Sequence, residues 1–584
     1  MSYKSHYRVA SITAESSPIE GVRRRSSSAA FRHYNMPGIR LNEVENQSDS
    51  DDNIPMQKWT DFTDKTTMSK WSLAEIFSAD DTLESRRRRR TRLTMLGGIL
   101  FATICAFAFI FPRHAPSLQS LPSLPSLSSL PKVPTWSSHS YPEVDTERLC
   151  SFDSAFLRQN LSLGESYDFA RRIIVSKQSQ RVKLQSSSTM NNIGEALLPP
   201  TQRMNAGDEM VQLSNCAPPL ELEAPYTQKV DGRGMFFGMS TNTHRLRDAL
   251  PRIKYWLGDT GAKLLVIAPA EEAEEDMRDT EKLMKENGMD VTIERGHLNW
   301  VQGYFTLIKR MYELRTPRTQ WMVTMDDDTF IPSFPRLVER LNSRYDASQP
   351  TWVGTLSEDF TQVQYIGWMS FGGAGIFVST PLAAIVAEHT DECLAKAREF
   401  DGGDYILSTC IMEHSSAKLN LDNDLYQLDV RGYPGGLLES GFAPSTLHHL
   451  YSWVWAPAEP QIPVASVCGQ ECLWYRWFFS DRMMLSNGFS IVRLREDIDP
   501  GIWQIGMEKT FNLESDGEAF RESRVFAHKM SYLRPALKVD EEKETWRLEA
   551  SYVQDDGSVQ QLYVRRGNDQ RADQVFELIW LKTE

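Results

Sequence analysis

The sequence predicts an α/β domain built on a mostly parallel sheet flanked by helices, spanning residues 230–474. Three observations carry this expectation. From about residue 230, short apolar runs alternate with amphipathic stretches of helical period. Gly and Pro punctuate the joints between them. The last of these runs, Trp321-Met-Val-Thr-Met325, passes straight into Asp326-Asp327-Asp328. That places three acids at a strand end, where open α/β sheets bind their ligands.

Each element follows in order. Met235 to Met239 reads as a short apolar strand, and Thr243 to Leu257 as an amphipathic helix bent or interrupted at Pro251. Lys263 to Ala268 is a buried strand. Glu271 to Asn287 is a charged helix stopped by Gly288. Val291 to Glu294 is the next strand, Trp300 to Leu314 a helix, and Trp321 to Met325 the strand that delivers the acidic triplet.

The flanks differ in kind. Residues 1–92 are rich in Ser, Arg, Asp and Asn with little periodic patterning, and read as a disordered cytoplasmic tail. Residues 93–112, LTMLGGILFATICAFAFIFP, carry no charge and are long enough to cross a hydrocarbon core of roughly 30 Å. Arg86 to Arg90 and Arg92 precede this span and Arg113 alone follows, so the positive-inside rule makes it a type II signal anchor. The Pro/Ser-rich residues 113–142 read as an extended stalk. Residues 143–229 form an N-terminal extension with no assigned role. Residues 475–584 form a C-terminal extension with strand-like runs at Leu548–Val553 and Gln561–Val564.

A net charge of -14 over 584 residues argues against nucleic acid as a partner, because phosphate binding needs clustered Lys and Arg. Of seven cysteines, Cys105 falls in the anchor and six fall beyond it. Six allow three disulfides in an oxidising compartment, and the spacings suggest Cys393–Cys410 and Cys468–Cys472 as local pairs. Asn160-Leu161-Ser162 is a glycosylation sequon on the same side.

Four segments carry chemistry. In an extended chain Asp326 and Asp328 point the same way and offer a hard-oxygen site for Mn²⁺ or Mg²⁺, which a diphosphate completes. Taken alone, an acidic triplet is weak evidence, since most are solvated loops. Phe371-Gly372-Gly373-Ala374-Gly375 permits close backbone approach to a ligand, or simply a tight turn. Asp404, in Gly402-Gly403-Asp404-Tyr405, precedes a helical run that it could serve as N-cap. His448-His449 follows Ser445-Thr-Leu, and either histidine could complete a carboxylate–imidazole metal shell.

In this order, WMVTMDDDTF, FGGAGIFVS, GGDYILSTC and YQLDVRGYPGGLLES…STLHHL resemble the Fringe-like β-1,3-glycosyltransferases of glycosyltransferase family 31. The likeness is closest to the plant and fungal branch long described as a domain of unknown function. It covers residues 230–455 well and runs more loosely to Phe511. It implies a GT-A fold, a UDP-sugar donor, Mn²⁺, and inversion at the anomeric carbon. Asp326 and Asp327 would then lie on the nucleotide side, with Asp326, Asp328 and one of His448 or His449 holding the metal. Gly372 and Gly373 would line the donor or acceptor pocket, and Asp404 would be the base. The resemblance implies a Golgi membrane enzyme acting in the lumen on a glycan or glycoprotein acceptor. Relatives often have two acids where this chain has Gly403-Asp404, which also leaves open a catalytically inactive protein binding nucleotide or sugar. A phosphohydrolase would need a second metal cluster or a nucleophile motif, and the sequence has neither.

Overall fold

Strand β1 (Met235–Ser240) is almost wholly buried, so it can lie only inside a sheet covered on both faces. Helix α1 (Thr243–Leu257) follows, capped by the Asn242 side chain, which accepts from Arg245 N. It runs unbroken through Pro251. That residue lies on the exposed face, where the carbonyl released by the missing N–H meets water, while Leu246, Ala249, Ile253 and Trp256 pin the other face. Then come β2 (Lys263–Ala268), α2 (Glu274–Glu286), β3 (Asp290–Arg295), α3 (Trp300–Glu313) and β4 (Trp321–Thr324). Helix α2 begins three residues later than expected because Glu272 N closes a turn onto Pro269 O. The chain continues through α4 (Phe334–Arg344), β5 (Trp352–Gly354), α5 (Phe360–Ile366), β6 (Ile376–Ser379), α6 (Thr380–Lys396), α7 (Gly403–His414) and β7 (Leu419–Leu421). These assignments come from a computed structural model that describes residues 150–582, apart from 185–187, 399–400, 454–455, 514–529 and 531.

The seven strands order as β7-β5-β6-β4-β1-β2-β3. The sheet is mixed, which corrects the expectation of a mostly parallel one. Strands β4, β1, β2 and β3 run parallel, but β6 is antiparallel to both β4 and β5. The physical reason is connectivity. Strands β5 and β6 are sheet neighbours joined at one end, and no crossover helix is needed between them. An antiparallel strand starts where its neighbour finishes, so the glycine turn before β6 arrives beside the carboxyl end of β4.

Side chains alternate across β4. Trp321 and Val323 enter the core under α1, α2 and α4, while Met322 enters the one under α3, α6 and α7. The strand order reverses direction between β1 and β4. This is the topological switch point of an open α/β sheet, with a crevice outside the carboxyl ends.

The two extensions share one structure. Tyr167–Ser179 pairs in parallel with Asp573–Leu581, from Tyr167↔Asp573 to Val175↔Leu581. Around this pair a ten-stranded sheet takes in Lys543–Val553, Val559–Arg565 and Arg476–Phe479 as well as Leu220–Pro225. Glu577, wholly buried, is held by Arg171 across the same pairing. Both local disulfides are present, and Cys150–Cys216 completes the set. The tail, anchor and stalk read from the sequence lie outside the described residues. Among the described residues no helix is long and apolar enough to cross a membrane.

Candidate active site

The acidic triplet does not continue β4. The chain turns at once, with Thr329 N bonded to Asp326 O. Asp326 and Asp328 therefore share a side through a turn rather than through a strand's pleat, and Asp327 is sent the opposite way. Its buried carboxylate accepts from Thr241 Oγ1 and takes both arms of the Arg245 guanidinium, with Arg245 Nε at 2.6 Å. Thr241 and Arg245 stand just past the carboxyl end of β1, so this ion pair ties that end to the turn after β4 at the switch point. Fork-to-fork pairing of this kind fixes orientation as well as charge. Neither partner was legible in the sequence, where Arg245 looks like one of several surface arginines on α1.

His448 reaches Asp328 by a long-range stitch. Phe330 and Leu447 exchange backbone hydrogen bonds of 2.8 and 2.9 Å, and Thr446–Leu447 also pairs with Leu425–Tyr426. The next residue, His448, then places Nε2 3.0 Å from Asp328 Oδ1 and 3.3 Å from Asp326 Oδ2. Ser452 Oγ donates to Asp328 Oδ2 at 2.6 Å. Burial alone would raise the Asp328 carboxyl, but the His448 imidazole beside it holds it well below the usual carboxylate range. Burial pushes His448 down, and the two carboxylates outweigh that and push it well above the usual imidazole range.

His449 is placed differently. Its backbone is left-handed (φ 55°), its ring stacks on Trp453 at 3.7 Å, and Nδ1 faces Asp429 Oδ1 at 3.5 Å. Burial, reinforced by His448, drives its basicity well below the usual imidazole range. One nitrogen of each histidine and an Asp328 oxygen still lie within 4.8 Å of one another.

The donors fit a hard divalent cation. Ligands about 2.1 Å from an octahedral ion stand roughly 3.0 Å apart along an edge, close to the 3.0 and 3.3 Å found around His448 Nε2. The two carboxylates suit a hard cation such as Mn²⁺ or Mg²⁺. His448 is 1% exposed and its Nδ1 has no hydrogen-bond partner, so on that edge the ring is held by packing, while Nε2 faces the two acids.

The glycine turn supplies that packing. A Cβ on Gly373 would stand 2.1 Å from His448 Nδ1, and one on Gly372 would meet the Tyr304 hydroxyl at 2.6 Å. The turn is fixed from three directions: Thr329 Oγ1 donates to Gly373 O, Thr446 Oγ1 to Ala374 O, and Ala374 N to Gln427 Oε1. Gly373→Ala should therefore displace His448 and weaken divalent-cation binding at least about tenfold while leaving the fold intact. Calorimetric titration with Mn²⁺ checks this, with Gly194→Ala as control, since nothing lies within 4 Å of a Cβ there.

Asp404 joins the same turn from the other side. It lies in the first turn of α7, where Gly402 rather than Asp404 is the N-cap. Its Oδ2 accepts from Gly372 N at 2.9 Å and its Oδ1 from Tyr405 N at 2.8 Å. Burial raises its pKa to about 6; the backbone N–H groups oppose the shift and Asp326 adds to it. Tyr304, buried on α3, donates its hydroxyl to Gly372 O at 3.0 Å. Successive glycines thus touch the two halves of the site, Gly372 the carboxylate of Asp404 and Gly373 the imidazole of His448.

A family model described as a protein of unknown function, DUF604, matches residues 362–462, from α5 to beyond the histidine pair. No curated protein matches the chain. Among solved structures, mouse xyloside xylosyltransferase 1 in its apo form is similar at 11% identity and TM-score 0.24, over 37% of this chain and 96% of that one. The apo bifunctional glycosyltransferase WbbM is similar at 11% and 0.27, over 44% and 51%. The mannosyltransferase PcManGT from Pyrobaculum calidifontis, solved with GDP-Man and Mn²⁺, is similar at 12% and 0.23, over 34% and 58%. The chain spans little more than half the length of the last two. Scores this low carry no argument about activity.

Proposed function

We propose that this chain is a metal-dependent glycosyltransferase that takes its donor from a nucleotide sugar, with UDP as the nucleotide. One observation carries the reading. At the carboxyl end of β4, beside the switch point, Asp328 and Asp326 stand 3.0 and 3.3 Å from His448 Nε2, and a half-buried carboxylate of raised pKa stands on the adjoining glycine turn. A lone acidic cluster would bind a cation; the second, separately tuned carboxylate adds the means to move a proton.

Asp326, Asp328 and His448 would hold Mn²⁺, or Mg²⁺ as the second hard cation, with His449 behind them and within reach of the same shell. When bound, the ion offsets charge on a departing diphosphate. Asp327 is a positioning residue that ties the turn to Arg245. Asp404 accepts the proton of an acceptor hydroxyl as that oxygen attacks the anomeric carbon. One base and one in-line displacement give inversion, and the sequence resemblance points to a β-1,3 linkage. The glycine turn lines the pocket between metal and base.

The reading extends to location. Three disulfides favour an oxidising compartment. With the apolar span at 93–112, they fit a type II Golgi protein with this domain in the lumen and a glycan or glycoprotein acceptor. The deciding experiment incubates the full-length chain with a panel of UDP-sugars and Mn²⁺, following UDP release. Metal-dependent release with at least one donor is expected. Metal-dependent UDP binding without release would identify a silent nucleotide-binding protein. Absence of metal-dependent UDP binding would overturn the reading altogether.

A further inference from the structure

At the carboxyl end of β1 stands an aromatic side chain that neither the metal turn nor the glycine turn uses. Trp300 is the first residue of α3, where Asn299 caps the helix by accepting from Gln302 N. Its indole Nε1 donates to the carbonyl oxygen of Ser240, the last residue of β1, at 2.6 Å. Ser240 Oγ in turn donates to Trp300 O at 3.3 Å. Gly303 lets helix and strand end approach, since a Cβ there would stand 3.0 Å from Ser240 Oγ. Trp300 is still 42% exposed, and Leu298 beside the same cap is 43% exposed.

A tryptophan at a wet surface ordinarily turns its N–H toward water and its rings toward the protein. Here that order is reversed. The one polar atom of the side chain is bound inward to a strand-end carbonyl. The bond fixes the ring by its edge, and the exposed part of the side chain is apolar carbon.

We propose that Trp300 is the stacking platform for the base of the nucleotide, an inference that rests on the nucleotide-sugar reading above. Position decides the occupant. Thr241, the residue after Ser240, donates its hydroxyl to Asp327 of the acidic triplet, so the indole belongs to the β1 flank of the metal turn. Asp404 holds the glycine turn before β6, on the opposite flank of β4. A diphosphate bound between them has a sugar end, which must reach Asp404. Its nucleoside end then points toward β1. A base stacks on an indole through its π face, whatever the pattern of its edge. Trp300 therefore adds affinity for a base and leaves the choice among bases to other groups.

The test titrates the full-length chain, with Mn²⁺ present, against UDP and separately against inorganic pyrophosphate, which has the charge and no base. Trp300→Ala should weaken UDP binding about tenfold and leave pyrophosphate binding unaltered. Trp300→Phe keeps an aromatic face while giving up the bond to Ser240, and its UDP affinity should stay within about threefold of native. UDP should quench tryptophan fluorescence more in the native chain than in Trp300→Ala. Equal UDP affinity in those two chains would overturn the proposal and leave the nucleotide-sugar reading standing. Equal losses for UDP and pyrophosphate would also overturn it, by making Trp300 a support of the metal turn. A native chain that bound no UDP with Mn²⁺ would remove both readings together.

Discussion

Asp328→Ala should lower sugar transfer by about 10³-fold and abolish metal-dependent UDP binding. Asp328 is the acid most committed to His448, with 3.0 Å to Nε2 and a second oxygen held by Ser452. Removing it takes away one hard-oxygen ligand and the main charge that keeps the His448 ring in place. Metal assistance to a departing diphosphate contributes several kcal/mol, and about 4 kcal/mol corresponds to roughly 10³ in rate. The loss should appear both in kcat and in the calorimetric titration of UDP with Mn²⁺. Asp327→Ala makes the informative contrast. Its carboxylate faces Arg245, so it should weaken the site by loosening the turn while Mn²⁺ at high concentration restores most of the rate. Full activity in Asp328→Ala at ordinary metal concentration would remove the metal centre from this turn.

Asp404→Asn should lower kcat by about 10² to 10⁴, the usual worth of a positioned base, and leave metal and UDP affinity unchanged. Asparagine keeps an acceptor for one of the two backbone N–H groups that Asp404 now satisfies, so the turn should survive, but it cannot take a proton. The pH dependence carries the sign. Asp404 has its pKa raised to about 6 by burial, so the competent, ionised form dominates above that pH. Transfer should fall as pH drops through about 6, with unit slope in the logarithm of rate. Asp404→Asn should show a residual rate without that limb. A limb that persisted in the variant would assign it to another group, and unaltered kcat would remove Asp404 from the chemistry.

Much of the site was legible in the sequence because its parts are local. The strand WMVTM ends in acids, glycines cluster before IFVS, and Asp404 precedes an apolar helical run; each signal spans fewer than a dozen residues. The partners were less legible. Arg245 and Thr241 secure Asp327 from 82 and 86 residues away, and Tyr304 reaches Gly372 over 68. No periodicity announces such contacts, since an arginine on an exposed helix face looks the same whether or not it meets a carboxylate.

The same division holds for the fold. By itself the sequence determined the order and type of the elements from Met235 to Met325, the strand end that carries the acids and both short-range disulfides, because burial period, glycine stops and cysteine spacing act over short stretches of chain. Only the tertiary structure decided that β6 runs antiparallel, that Asp326 and Asp328 meet through a turn, and that His448 faces both acids while His449 faces Asp429. It alone joined Tyr167–Ser179 to Asp573–Leu581 in one sheet. Such pairings close loops of up to about four hundred residues, and they form because long-range burial across both cores outweighs the entropy of bringing distant segments together. The acidic triplet was written in the sequence; the placement of His448 beside it came from the stitch between Phe330 and Leu447.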